Sequence, residues 1–388
     1  MNWEGVSLRL FGLIFHLLLA VVTSGWSQEA RRVEVSMDCR EGIGLIPSVW
    51  RGGATTDGVL PVGLELKTVR LGPNMVRTVW ATKLAGGDYS WSDLDSRLDT
   101  LASAGIDVIL AVPVPGGEAL VDLWPELVYD LASRTHKKVG RFEIFQGEEV
   151  TGNARYLEFY ESAVWAIYRA NARARIGGPG TMWPGETLSA LISQCTELDL
   201  PLNFVSWGVR LNQISDLTDS MADARELLRE NRLSSRPGLV ISRWQAMPLD
   251  GSDPDGLMLS ALREIVDMDL DAACMNFSGS DETAVRMFAR MGRVRVGLTV
   301  DPNTHGLRGM GSLAGEEAMA LMWGTRDSVQ VDMSFAGIAW GREIRIRRFD
   351  TGSSAPLENV VIPMADPARA SFILRKDEVS LVWLQVVE

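Results

Sequence analysis

From about residue 70 to residue 277, short apolar runs alternate with stretches whose apolar residues recur at helical spacing. That alternation constrains the fold more than any other feature of the chain. Val108–Val114, Arg141–Phe145, Phe204–Trp207, Leu239–Trp244 and Ala272–Phe277 read as strands. Between them lie helical stripes, such as Leu94, Leu98 and Leu101, or Leu157, Tyr160, Val164 and Tyr168. Met75–Trp80 is expected to be a further strand, with one more near Val49 and Trp50. Strands joined by helices run parallel through right-handed crossovers, and about eight such units close into a (β/α)8 TIM barrel.

The pattern changes near Asp327. Val329–Met333, Arg342–Phe349, Ser371–Leu374 and Val379–Val387 follow one another as strands with no helix between them. The expected fold is therefore α/β: a barrel over 28–326 with a small C-terminal antiparallel β-sandwich over 327–388. Residues 1–27 read as a secretory signal, Arg9 preceding an apolar run from Leu10 to Val22 and small or polar residues closing it. The run is short for a membrane span, so the expectation is a secreted or periplasmic protein, with an uncleaved signal anchor as the one membrane alternative.

Net charge is −12 and no basic block occurs, which argues against nucleic acid as a partner. Three histidines and three cysteines are too scattered for a metal pattern or a disulfide framework, and no cofactor motif is present. Chemistry would have to come from carboxylates, amides or arginines. At the end of the Arg141 strand, Phe145-Gln146-Gly147-Glu148-Glu149 is where such groups gather.

Leu71-Gly72-Pro73 with Val76-Arg77, then Tyr89-Ser90-Trp91-Ser92-Asp93, the Phe142 strand, Ile176-Gly177-Gly178-Pro179 and Phe204-Val205-Ser206 follow in an order that resembles family 39 glycoside hydrolases. That family includes β-xylosidases and α-L-iduronidases, and the similarity runs from about Trp50 to Phe277. The resemblance implies an acid/base glutamate after an Asn at the end of barrel strand four, and a nucleophilic glutamate at the end of strand seven. A retaining glycosidase needs both, about 5 Å apart. Here Gly147 and Arg243 stand at those positions, and Trp207-Gly208 replaces the histidine expected after strand six.

Glu148 and Glu149 have two readings, a displaced acid/base or a solvated loop pair. Arg243 either grips an anionic sugar or neutralises Glu143 or Glu148, and Glu143 is expected to pair with an arginine inside the barrel. Arg77 matches the arginine the resemblance places on strand two. Trp80, Trp183, Trp207 and Trp244 fall near expected strand ends, where an indole face suits a sugar ring, with core packing as the alternative. Gln146 and Gln245 flank the two altered positions, whereas Trp91, Trp124 and Trp165 are expected to pack on helix faces.

The leading expectation is a secreted, catalytically defective glycosidase-like barrel that binds an oligo- or polysaccharide, anionic sugars included. One alternative is an active glycosidase using Glu148 or Glu149. The other is a structural or assembly protein with no sugar ligand.

Overall fold

The computed structural model describes residues 31–387 apart from 56–63, 116–120, 147–152, 232, 234–235, 250–252, 278–281, 302–304, 339–342 and 352–354. The chain divides into two compact units, one over Gly44–Arg295 and one built from the residues before Gly44 and after Arg295.

The first unit is a closed barrel of eight parallel strands: β2 (Gly52–Thr55), β3 (Thr68–Leu71), β4 (Asp107–Pro113), β5 (Arg141–Phe145), β6 (Arg175–Thr181), β7 (Phe204–Leu211), β8 (Gly238–Ala246) and β9 (Ala272–Asn276). β2 pairs with β9 to close it. Around it lie α1 (Pro73–Leu84), α2 (Ser92–Ser103), α3 (Trp124–Thr135), α4 (Asn153–Ala170), α5 (Glu186–Glu197), α6 (Ser215–Glu230), α7 (Pro254–Asp267) and α8 (Glu282–Ala289).

Two expected strands are corrected. Met75–Trp80 lies inside α1, whose Val76, Val79 and Trp80 form a buried stripe at helical spacing. Its β-branched residues imitate a strand, but Pro73 is at the first turn, where a missing N–H costs nothing. The Leu71-Gly72-Pro73 break is thus the exit from β3 rather than the entry to a strand. Val49 and Trp50 belong to a 3-10 turn, and the strand begins at Gly52. A Cβ at Gly52 would come 2.3 Å from the Ala273 carbonyl oxygen, so only glycine lets β2 seat against β9.

Register fixes which side chains meet inside. Arg70 pairs through Ile109 with Arg141, and Glu143 lies two residues further along β5. The same two-residue step leads from Glu143 to Ser206, from Ser206 to Cys274, and from Cys274 back to Arg70. Arg70, Glu143, Ser206 and Cys274 are therefore one interior layer drawn from alternate strands, the arrangement a (β/α)8 barrel imposes. All four are buried.

The second unit is not a sandwich of separate antiparallel sheets. One nine-stranded mixed sheet runs β15-β14-β17-β12-β11-β10-β1-β13-β16. Its strands are β1 (Arg31–Leu45), β10 (Val294–Asp301), β11 (Arg308–Ala314), β12 (Glu317–Trp323), β13 (Val329–Ala336), β14 (Glu343–Asp350), β15 (Glu358–Pro363), β16 (Ala368–Leu374) and β17 (Ser380–Val387). β1 pairs in parallel with β13, so the sheet claims the amino-terminal strand. β10 to β12 also belong to it, which moves the boundary from residue 327 to residue 296. The sheet curls on itself. Ile344, Ile346, Val382 and Leu384 from one end share a core with Val33, Val331, Phe372 and Leu374 from the other. Arg348 of β14 accordingly donates to the Ile373 carbonyl of β16 at 2.9 Å.

Candidate functional site

In a parallel barrel, functional groups sit on the loops at the C-terminal ends of the strands. Here that lip is tied together by backbone bonds. Val114 N–H donates to the Phe145 carbonyl at 3.0 Å, and Gln146 N–H donates to the Pro179 carbonyl at 2.9 Å. Met247 N–H closes β8 on the Leu211 carbonyl at 2.7 Å.

Beneath the lip, Arg70 Nε donates to Glu143 Oε2 at 2.7 Å, and Arg70 Nη2 lies 2.5 Å from the same oxygen. Glu143 is wholly buried and Arg70 nearly so. Both nitrogens converge on one oxygen, so Glu143 Oε1 has no partner among the described residues. Gly180, at φ +69°, makes this possible: a Cβ there would lie 2.8 Å from the Phe145 ring and 2.9 Å from Glu143 Oε1. The Cys274 thiol of the same layer is pushed up to about 12, chiefly by burial, against an opposing pull from Arg70 that outweighs the smaller upward push from Glu143.

Arg243 reaches the lip because β8 carries an extra residue. Trp207 pairs with Ile241 and Gly208 pairs with Arg243, leaving Ser242 as a bulge. The Ser242 hydroxyl donates to the Trp207 carbonyl at 3.3 Å. After the bulge the Arg243 side chain turns inward, beside the Gly208 Cα, with its guanidinium 5.7 Å from the Phe145 ring centroid. Arg70 lies 5.1 Å from the same centroid. Two cations thus share one aromatic ring, a favourable contact for each. Across the eight barrel strands the only carboxylates are Glu143 and Asp107, the latter the first residue of β4, at the opposite end from the lip.

The sequence-derived candidates separate into three groups. Gln146, Arg243 and Gln245 lie at the lip, with the Asn276 amide donating to Gln245 Oε1 at 3.4 Å. Gly147, Glu148 and Glu149 lie outside the described residues. Arg77, Trp80, Trp207 and Trp244 are not on the rim. Arg77 is on α1, donating to Asn74 Oδ1 at 3.3 Å, so Arg70 is the arginine that strand two supplies. Trp80 packs edge-on against Trp124, which packs in turn on Phe159. Trp207 is fully buried and points at α6, its indole N–H donating to Ser220 Oγ at 3.3 Å. Trp244 is 1% exposed, and strand alternation turns it away from the face that Arg243 occupies.

Trp183 differs from these. It follows β6, is 37% exposed, and its indole N–H donates to Asp223 Oδ2 of α6 at 2.8 Å. Trp165, expected to pack on a helix face, is 53% exposed on α4. Glu143 does pair with an arginine inside the barrel, but with Arg70 rather than Arg243. Sequence reasoning missed Arg70, although Thr68-Val69-Arg70-Leu71 just before Gly-Pro carries a strand signal. It also missed the bulge, which is a property of pairing and leaves no mark in one strand.

No family model matches the sequence, and no curated protein matches it. Solved structures do. A glucosidase from Croceicoccus marinus superposes with a TM-score of 0.72 at 13% identity, covering 92% of this chain and 100% of that one. The GH39 enzyme from Xanthomonas axonopodis pv. citri gives 0.72 at 11% identity, over 94% and 99%. A monomeric β-xylosidase from Caulobacter crescentus CB15 gives 0.67 at 12% identity, over 92% and 100%. The chain has a glycoside-hydrolase-like TIM-barrel fold with an added β unit.

Proposed function

We propose that this protein is a glycosidase-like carbohydrate-binding barrel that has given up retaining hydrolysis. The observation that carries the reading is Arg243, turned inward at the end of the seventh barrel strand beside Phe145. In the enzymes the sequence resembles, that position holds the nucleophilic carboxylate. A guanidinium stays charged at any physiological pH and has no lone pair to give the anomeric carbon. Glycoside cleavage also passes through a cationic, oxocarbenium-like state. A like charge about 4 Å away repels it by roughly 4 kcal/mol at an effective dielectric of 20, about a thousandfold in rate. Glu143 does not substitute, since Arg70 holds it below the lip.

Support for a sugar ligand comes from the lip itself, where the polar side chains of Gln146, Arg243 and Gln245 gather and the Trp183 indole is exposed. Export from the cytoplasm, read from the apolar run at Leu10–Val22, is part of the same proposal. The test pairs calorimetry with an activity assay. Heat of binding with at least one oligosaccharide series, neutral or uronic, and no release from aryl glycosides is the expected outcome. Release that Glu148→Gln abolishes would replace this reading with an active enzyme using a displaced acid.

A further inference from the structure

Inside the barrel between β5 and β8, neighbouring side chains close in on the backbone at two glycines, Gly180 and Gly208. The two glycines there leave gaps, and side chains occupy both. The gap at Gly180 is taken by the Phe145 ring and Glu143. The gap at Gly208 is taken by Met182 and Arg243, whose Sδ and Cγ would lie 2.8 and 2.9 Å from a Cβ placed there.

Trp183, the residue after Met182, is built in the opposite sense. Its indole N–H is fixed to Asp223 and its carbonyl accepts from the Thr181 hydroxyl at 3.1 Å. Its backbone sits at φ 155°, a conformation L-residues rarely hold. Strain of this kind persists only where the surroundings enforce it, and it gathers at ligand sites. A half-exposed aromatic that is already immobilised loses little entropy on binding. Exposed apolar side chains continue on the lip, with Met247 and Leu249 following β8.

We propose that the ligand lies across the rim, stacked on Trp183, as an internal stretch of an oligosaccharide chain, and that no terminal sugar enters the barrel. This rests on the carbohydrate reading above and narrows it to chains recognised along their length.

The experiment is calorimetry on the full chain with xylohexaose, cellohexaose and hexagalacturonate, each beside its monosaccharide and its p-nitrophenyl glycoside. One hexasaccharide binds and its monosaccharide and aryl glycoside give no heat. Trp183→Ala weakens the hexasaccharide at least about tenfold, and Trp183→Phe, which keeps a flat face, stays within about threefold. Asp223→Ala, which frees the indole, falls between them. A monosaccharide or aryl glycoside that binds as tightly as the hexasaccharide overturns the proposal and leaves the carbohydrate reading standing. So does a Trp183→Ala variant with full hexasaccharide affinity. Silence from every sugar removes the carbohydrate reading and this proposal with it.

Discussion

Arg70 and Glu143 come from β3 and β5, 73 residues apart in sequence, and meet in the barrel's interior at 2.7 Å. Removing one partner of a buried pair leaves an uncompensated charge, whereas replacing both by apolar groups is often neutral. Glu143→Ala should therefore cost about 3–5 kcal/mol, and Arg70→Met with Glu143→Leu much less. Urea denaturation of the two single variants and the double variant measures this. A double-variant loss equal to the sum of the two single losses would show that the pair is not coupled.

Trp207 and Trp244 behave as core. Truncating a buried tryptophan costs about 3–5 kcal/mol through lost burial and a residual cavity. Trp207→Ala and Trp244→Ala should each lower the melting temperature sharply, while Trp183→Ala shifts it little. A Trp207→Ala protein as stable as the parent would place that indole on the surface after all.

Glycines around the site should differ in tolerance. A Cβ at Gly177 would meet the Phe204 carbonyl at 2.1 Å, and that backbone cannot step aside. At Gly208 the obstacles are the Met182 and Arg243 side chains, which can rotate. Gly177→Ala should fail to accumulate as folded protein, while Gly208→Ala folds with Arg243 displaced. Circular dichroism melts of both variants decide the point.

The three cysteines are buried, and burial pushes Cys39 up to about 11 and Cys195 and Cys274 up to about 12. An unfolded thiol ionises near pH 9. Between that pH and the folded values the unfolded chain binds fewer protons, so stability falls as pH rises through this window. It is fully present below pH 9. Native protein at pH 8 should leave Ellman's reagent unreacted, with all three thiols appearing on addition of denaturant. Prompt labelling before unfolding contradicts the burial.

Much of the barrel is legible in the sequence because its signals are local. Strands such as Val108–Val114 are apolar on both faces, and helices such as Ser92–Ser103 carry a single stripe. The errors have physical causes too. Val76, Thr78 and Val79 have strand-like shapes, but a helix can bury Val76, Val79 and Trp80 together, and packing overrode propensity. Which of Trp80, Trp183, Trp207 and Trp244 are buried and which exposed is hidden in the sequence for a related reason. Strand ends are readable, but which face an indole takes depends on register, and the bulge at Ser242 resets it. Glu143 was readable as an internal partner since it sits inside an apolar strand. Its arginine was not, because nothing in Thr68–Leu71 says which strand will lie opposite.

β1 lies between β10 and β13, pairing with a strand made roughly 300 residues later. At about 5–20 residues per second, its amino-terminal segment waits some 15 to 60 seconds for that neighbour to be synthesised. Val33, Val35 and Met37 remain without their final shelter for that interval. Nascent chains halted before Val329 should therefore need a holding chaperone that the finished protein does not.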